Sequence, residues 1–190
     1  LESLLARERD TFSERNPRSQ AAHAAADHLL GRVPMTWMGK TAAPFPLYLA
    51  GAAGARVTDL DGHELADFCL GDTGAMAGHS PGPVVDAVTR RLGIAGGATA
   101  MLPTEDAEVV AAELTRRFGL GQWSFSLSAT DANRWALRLS RNLTGRPKVL
   151  VHSECYHGSV DESFVVATPD GTRPRPGTEG GPGEVTTYSR

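Results

Sequence analysis

The stretch WSFSLSATDANRWALRLSRNLTGRPKVLVHS, residues 123–153, changes periodicity twice. WSFSL (123–127) and KVLVHS (148–153) read as short strands. Between them, apolar residues at Ala132, Trp135, Ala136, Leu139 and Leu143 recur at the spacing of one helix face. Strand, helix and strand at this distance form a βαβ unit, which predicts a parallel sheet with a right-handed crossover and so an α/β class.

The junction at residues 126–130 is bare, carrying only small and hydroxyl side chains apart from Leu127. Ser128 precedes Asp131 by three residues, the spacing of a capping box with Asp in place of the longer Glu. A second reading uses the position. A helix that starts straight after a parallel strand presents free N–H groups and the positive end of its dipole to an anion. Ser128, Ala129 and Thr130 would then cradle a phosphate, through the N–H groups of Ala129 and Thr130 and the Thr130 hydroxyl. No Lys follows at GxxxxGK spacing, which argues against a nucleotide triphosphate. After the next strand, Tyr156-His157-Gly158 falls at the C-terminal sheet edge, where α/β proteins bind ligands. Tyr156 is either a half-buried packing residue or a platform for a planar ligand, and His157 is either solvated or bonded to a ligand oxygen.

Working outward, residues 1–31 read as helical with a break near Asn16-Pro17. LYLAGAAGARVTDLDGHELADF (47–68) has the short apolar runs and Asp-Gly turn of a hairpin. GDTGAMAGHSPGP (71–83) reads as a loop whose backbone approaches something closely, and Ser80-Pro81 as the start of a helix. GIAGGATAM links this to a helix capped by Thr104. From Thr168 the chain is rich in Gly and Pro and reads as a mobile loop or tail. The expected domains are 1–80 (helices and hairpin), 81–168 (the start of a larger α/β domain) and 169–190 (tail). There are no internal repeats.

Composition narrows the function. With 190 residues and 41% apolar content the chain can build a core. Net charge is -3 and the 19 basic residues, of which only Lys40 and Lys148 are Lys, are scattered in pairs rather than in a stripe, which argues against nucleic acid. Cys69 and Cys155 have no CxxC partner, so neither zinc nor a disulfide framework is expected. The N-terminus is charged and no run approaches a membrane span. A cytoplasmic protein fits, with no membrane anchor. One βαβ unit leaves most of a parallel sheet unbuilt, so the chain is expected to be part of a larger protein.

Four segments in order, GARVTDLDGHELADF, GHSPGPVVDAV, SATDANRWALRLSRNLTGRPKVLV and YHGSVDE, make the chain resemble the N-terminal half of class III aminotransferases. These are fold type I enzymes that use pyridoxal 5′-phosphate and include the glutamate-1-semialdehyde aminomutases. The resemblance runs from about Pro34 to Val166. It implies that Ser128-Ala129-Thr130 is the cofactor's phosphate cup, that Tyr156 stacks on its ring and that His157 lies beside it. It further implies an aminotransferase or aminomutase acting on an amino or oxo acid, as a homodimer with active sites at the interface. Three departures qualify this. Ala129 stands where the family usually has Gly, which requires an ordinary backbone conformation there. Thr36 replaces an Arg that pairs the substrate carboxylate in the semialdehyde aminomutases, so the substrate differs. The loop at Thr73 and Met76 lacks a frequent Trp, so these two shape a different pocket. No catalytic residue is assigned within the chain; the Schiff-base lysine is expected beyond Arg190, and the chain alone is expected to be inactive. The alternative is a non-catalytic, truncated or split module that keeps a phosphate cup or assembles with a partner.

Overall fold

The computed structural model describes residues 1–98, 101–152 and 155–176, together with the backbone of the strand Thr186–Ser189. They fall into two units, Leu1–Met101 and Leu102–Arg190.

In the first unit the helical pattern breaks where its composition requires. Helix α1 (Glu2–Arg15) ends at Asn16, and Pro17 opens α2 (Pro17–Ala24), where its missing N–H costs nothing. The next two N–H groups, of Arg18 and Ser19, donate to the Asp61 carboxylate at 2.7 and 3.0 Å. Asp61 sits in the turn of an antiparallel sheet, β1 (Leu49–Ala53), β2 (Arg56–Asp59) and β3 (Glu64–Ala66), in that order, as the hairpin pattern predicts. A carboxylate from the sheet therefore closes the helix end that no local side chain caps.

Asp59, at the end of β2, is buried, with the His63 ring nitrogen Nδ1 2.9 Å from its carboxylate and the His63 backbone N–H donating at 2.8 Å. Burial alone would raise its pKa; these hydrogen bonds outweigh burial and hold it below the ordinary carboxylate range. Val33, Phe45 and Ala75 are the buried apolar residues among the described residues of this unit, and the Phe12 ring packs 5.1 Å from that of Phe45.

The loop at 71–83 makes its close approach to the chain itself. Gly54 and His79 exchange backbone hydrogen bonds of 3.0 and 2.8 Å, and a Cβ on Gly78 would lie 3.2 Å from the Gly54 Cα. Asp67 holds the other side, with His79 Nε2 at 2.6 Å and the N–H groups of Cys69 and Leu70 donating at 2.8 and 3.0 Å. Helix α3 (Gly82–Arg90) starts later than the sequence suggests. Pro81 occupies the cap position, and Ser80, at φ 50°, turns its hydroxyl to the Ala52 carbonyl at 3.3 Å instead.

The second unit holds α4 (Glu105–Phe118), α5 (Ala129–Thr144), β4 (Val149–His152), the antiparallel pair β5 (Val165–Thr168) and β6 (Gly171–Pro174), and β7 (Thr186–Ser189). Three expectations change here. Thr104 stands at the cap position of α4 but makes no side-chain cap bond. Residues 123–127 form no strand, because no neighbouring strand lies beside them among the described residues, and backbone pairing is what makes an extended run a strand. The predicted tail after Thr168 instead turns at Pro169-Asp170, returns as β6 and continues to β7, which pairs with β4 in parallel from Val149–Thr186 to His152–Ser189. The parallel pairing predicted by the βαβ reading is present, with a later strand as the partner. Val151, Val160, Val165 and Val166 are buried around it.

Candidate functional site

The start of α5 is built as the capping pattern requires. Ser128 is extended at φ −150° and ψ 159°, and its Oγ accepts from the Asp131 N–H at 3.1 Å while donating to Asp131 Oδ2 at 2.8 Å. The serine half of the capping box is therefore present, while the short Asp131 side chain accepts from the Ser128 hydroxyl and not from the Ser128 backbone N–H as a full box requires. This leaves the N–H groups of Ala129 and Thr130 without a hydrogen bond among the described residues. Two unpartnered amides stand at the positive end of a sixteen-residue helix, an arrangement with the chemistry to receive an anion. The two readings of the junction are compatible, because the cap uses the third N–H and leaves the first two. Ala129 is absent from the residues with positive φ, so its methyl group is compatible with the turn.

The Thr130 hydroxyl oxygen accepts from the Ser159 N–H at 2.9 Å, and its own hydrogen remains available to an anion. The turn after β4 is thereby joined to the helix start. Asn133 Nδ2 donates to the His157 carbonyl at 2.9 Å. Gly158, at φ 78°, is buried so closely that a Cβ would lie 2.5 Å from Thr130 Oγ1 and 2.8 Å from the Thr130 Cα. Only glycine meets both demands, a left-handed backbone and no side chain. Tyr156 is 67% exposed, and its ring lies 6.4 Å from that of Phe164 at 30°. His157 is half-buried and, with Asn133, lines a cavity of about 180 Å³ between α5 and β4.

Ser128, Ala129, Thr130, Tyr156 and His157 thus belong to one helix start and the turn beside it. Thr36, Thr73 and Met76 lie in the other unit: Thr36 begins a short 3-10 turn, and Thr73 (φ 77°) and the exposed Met76 share the loop before α3. Asn133 and Ser159 were not singled out in the sequence. The available signal was a polar residue, Asn133, on a helix face otherwise turned to β4 by Ala136 and Leu137.

An α/β chain with an open helix N-terminus clamped to a tyrosine-bearing turn is the class that fold and geometry define. Comparison with known proteins gives the family: the model for "Aminotransferase class-III" matches residues 37–178. The glutamate-1-semialdehyde 2,1-aminomutase of Lawsonia intracellularis is 37% identical over 144 residues, covering 74% of this chain and 33% of that protein. The β-phenylalanine transaminase of Variovorax paradoxus is 33% identical over 163 residues, covering 84% and 36%. Among solved structures, a glutamate-1-semialdehyde aminomutase from Pseudomonas aeruginosa superposes with TM-score 0.90 at 47% identity, over 99% of this chain and 42% of that one. A variant of that enzyme was solved in complex with PMP. The chain belongs to the class III aminotransferase family and has its fold, that of the fold type I enzymes. It spans about a third of the length of the curated relatives it matches.

Proposed function

We propose that this chain is the phosphate-anchoring part of a pyridoxal 5′-phosphate-dependent aminotransferase or aminomutase acting on an amino or oxo acid. The observation that carries it is the pair of unpartnered N–H groups at Ala129 and Thr130 beside a hydroxyl whose hydrogen is free. That donor set suits a phosphate: two amides and a hydroxyl stand on consecutive residues of one helix end with no bulky side chain among them. The cofactor, when bound, supplies an electron sink for charge at the amino-bearing carbon.

The chain's own residues bind and orient. The amides of 129 and 130 and the Thr130 hydroxyl hold the phosphate, and Ser128 keeps the turn open by capping the third amide. The Tyr156 ring would offer a face to the cofactor's heterocycle, and His157 would stand beside it. Lys40 and Lys148, the chain's lysines, are both exposed, and on this reading the lysine that carries the cofactor covalently is neither of them but belongs to a segment outside these 190 residues. The enzyme works as a cytoplasmic homodimer. Thr36, Thr73 and Met76 select the substrate; Thr36, lacking a positive charge, favours one other than glutamate semialdehyde.

Titration of the purified chain with pyridoxal 5′-phosphate tests the reading. Thr130→Val removes one donor to a charged group and weakens binding by about 1–2 kcal/mol, whereas Thr130→Ser retains it. Equal affinities for wild type and Thr130→Val would remove Thr130 from the site. A borohydride-reducible adduct on Lys40 or Lys148 would overturn the assignment of the lysine to another segment. Binding that is wholly non-covalent agrees with it.

A further inference from the structure

We infer that Asn133 is a positioning residue: by holding the Tyr156–Ser159 turn against the first turn of α5, it sets where the Tyr156 ring stands relative to the phosphate cradle. The inference rests on the cofactor reading above. Tyr156 is largely exposed, and its one ring neighbour among the described residues, Phe164, is tilted and 6.4 Å away. Packing therefore does not fix the ring, and its place is set by the backbone that carries it.

That backbone is tied at three consecutive residues. The His157 carbonyl accepts from Asn133 Nδ2 at 2.9 Å, Gly158 presses on Thr130 with no room for a Cβ, and the Ser159 N–H donates to Thr130 Oγ1 at 2.9 Å. The tie nearest Tyr156 is the one Asn133 makes. It is also the only hydrogen bond the His157 carbonyl receives among the described residues.

The position of Asn133 supports a dedicated role. Its neighbours around the small cavity are mostly apolar, Ala136, Leu137, Val149, Val151 and Val160 among them, with His157 and Ser163 the polar exceptions, and a helix face turned to such a surface is ordinarily filled with apolar side chains. Asn is a poor choice there on propensity, and a side-chain amide in such surroundings costs free energy unless it is hydrogen-bonded. Its one bond goes to the residue next to the tyrosine.

The test uses the 190-residue chain with two neutral variants, Asn133→Leu, similar in shape but without a donor, and Asn133→Ala. Dissociation constants are measured for pyridoxamine 5′-phosphate and for inorganic phosphate, alongside amide exchange. Both variants should weaken pyridoxamine 5′-phosphate by roughly threefold to tenfold, the scale of one aromatic stacking contact. Inorganic phosphate affinity should stay unchanged, and exchange at 155–160 should quicken while the second half of α5 keeps its protection. Tyr156→Ala should cause the same loss, with no further loss in the double variant. Equal weakening of both ligands would mean that Asn133 merely supports the fold, and would overturn the inference. So would unchanged pyridoxamine 5′-phosphate binding in a background where Tyr156→Ala weakens it. If wild type fails to bind pyridoxamine 5′-phosphate, or binds it no better than Tyr156→Ala does, the cofactor reading itself falls and takes this inference with it.

Discussion

Asp131 places a carboxylate one residue from the amides that would hold an anion, and it engages the hydrogen of the Ser128 hydroxyl at 2.8 Å. On the proposed reading, Ser128 would shape the cradle through its backbone and cap, since its hydroxyl hydrogen is already given to Asp131. Removing the charge while keeping the shape, Asp131→Asn, should tighten inorganic phosphate binding by about twofold to fivefold, the scale of one charge at a helix N-terminus; titration calorimetry at low salt reads this directly. An unchanged constant would show that the carboxylate is not felt at the cradle. Gly158 offers a sharper test. Alanine there meets a left-handed backbone and the Thr130 atoms at once, so Gly158→Ala should cost about 2–4 kcal/mol in a denaturant midpoint measurement. A loss below about 0.5 kcal/mol would mean that the turn relaxes freely, and the clamp at Thr130 would then be unimportant.

Between elements, the second unit is braced by Arg141, near the end of α5. Its Nε donates to the Pro147 carbonyl at 2.8 Å and its guanidinium to Glu162 at 2.6 Å, in the short 3-10 turn Asp161–Ser163. The hydrogen bond from Arg141 holds the Glu162 carboxyl below its ordinary range, against the opposing effect of burial. Because the folded-state value is depressed, the stabilisation is complete above the unfolded carboxyl's pKa of about 4.3 and disappears as pH falls through the lower folded value. Arg141→Ala should therefore lose about 1–2 kcal/mol at neutral pH, and its deficit against wild type should narrow in acid to what the loss of the Pro147 bond leaves; a denaturation series across pH 2–7 checks both. Curves that stay parallel throughout would show that Glu162 is not the partner that matters. In the first unit, Asp61 closes α2 from across the fold, and Asp61→Ala should speed amide exchange at Arg18 and Ser19 before it disturbs the strands.

For the molecule as a whole, the informative feature is what remains uncovered. Helices α3, α4 and α5 each carry an apolar face, yet none contains a buried residue. Val88, Leu139 and Leu143 stand 50%, 59% and 74% exposed. Faces of this kind gain roughly 25 cal/mol for each square ångström removed from water, so they favour association. The purified chain should show concentration-dependent self-association in sedimentation velocity and should bind a hydrophobic dye. A monodisperse monomer that ignores the dye would contradict the exposure of these faces.

Local chemistry alone was enough for the break at Asn16-Pro17, the hairpin around Asp61-Gly62, the capping box at Ser128 and the helix it begins, because each depends on residues within a few positions of one another. The four ordered segments carried the family as well. Other features were decided by residues distant in the chain. Residues 123–127 have strand-like composition without a strand partner, β4 pairs with a strand more than thirty residues later, and the His157–Ser159 turn is fixed by Asn133 and Thr130. Hydrogen bonds across such separations leave no periodicity in the sequence. Only folding brings their donors and acceptors within 3 Å, and there the open helix end acquires its neighbouring tyrosine.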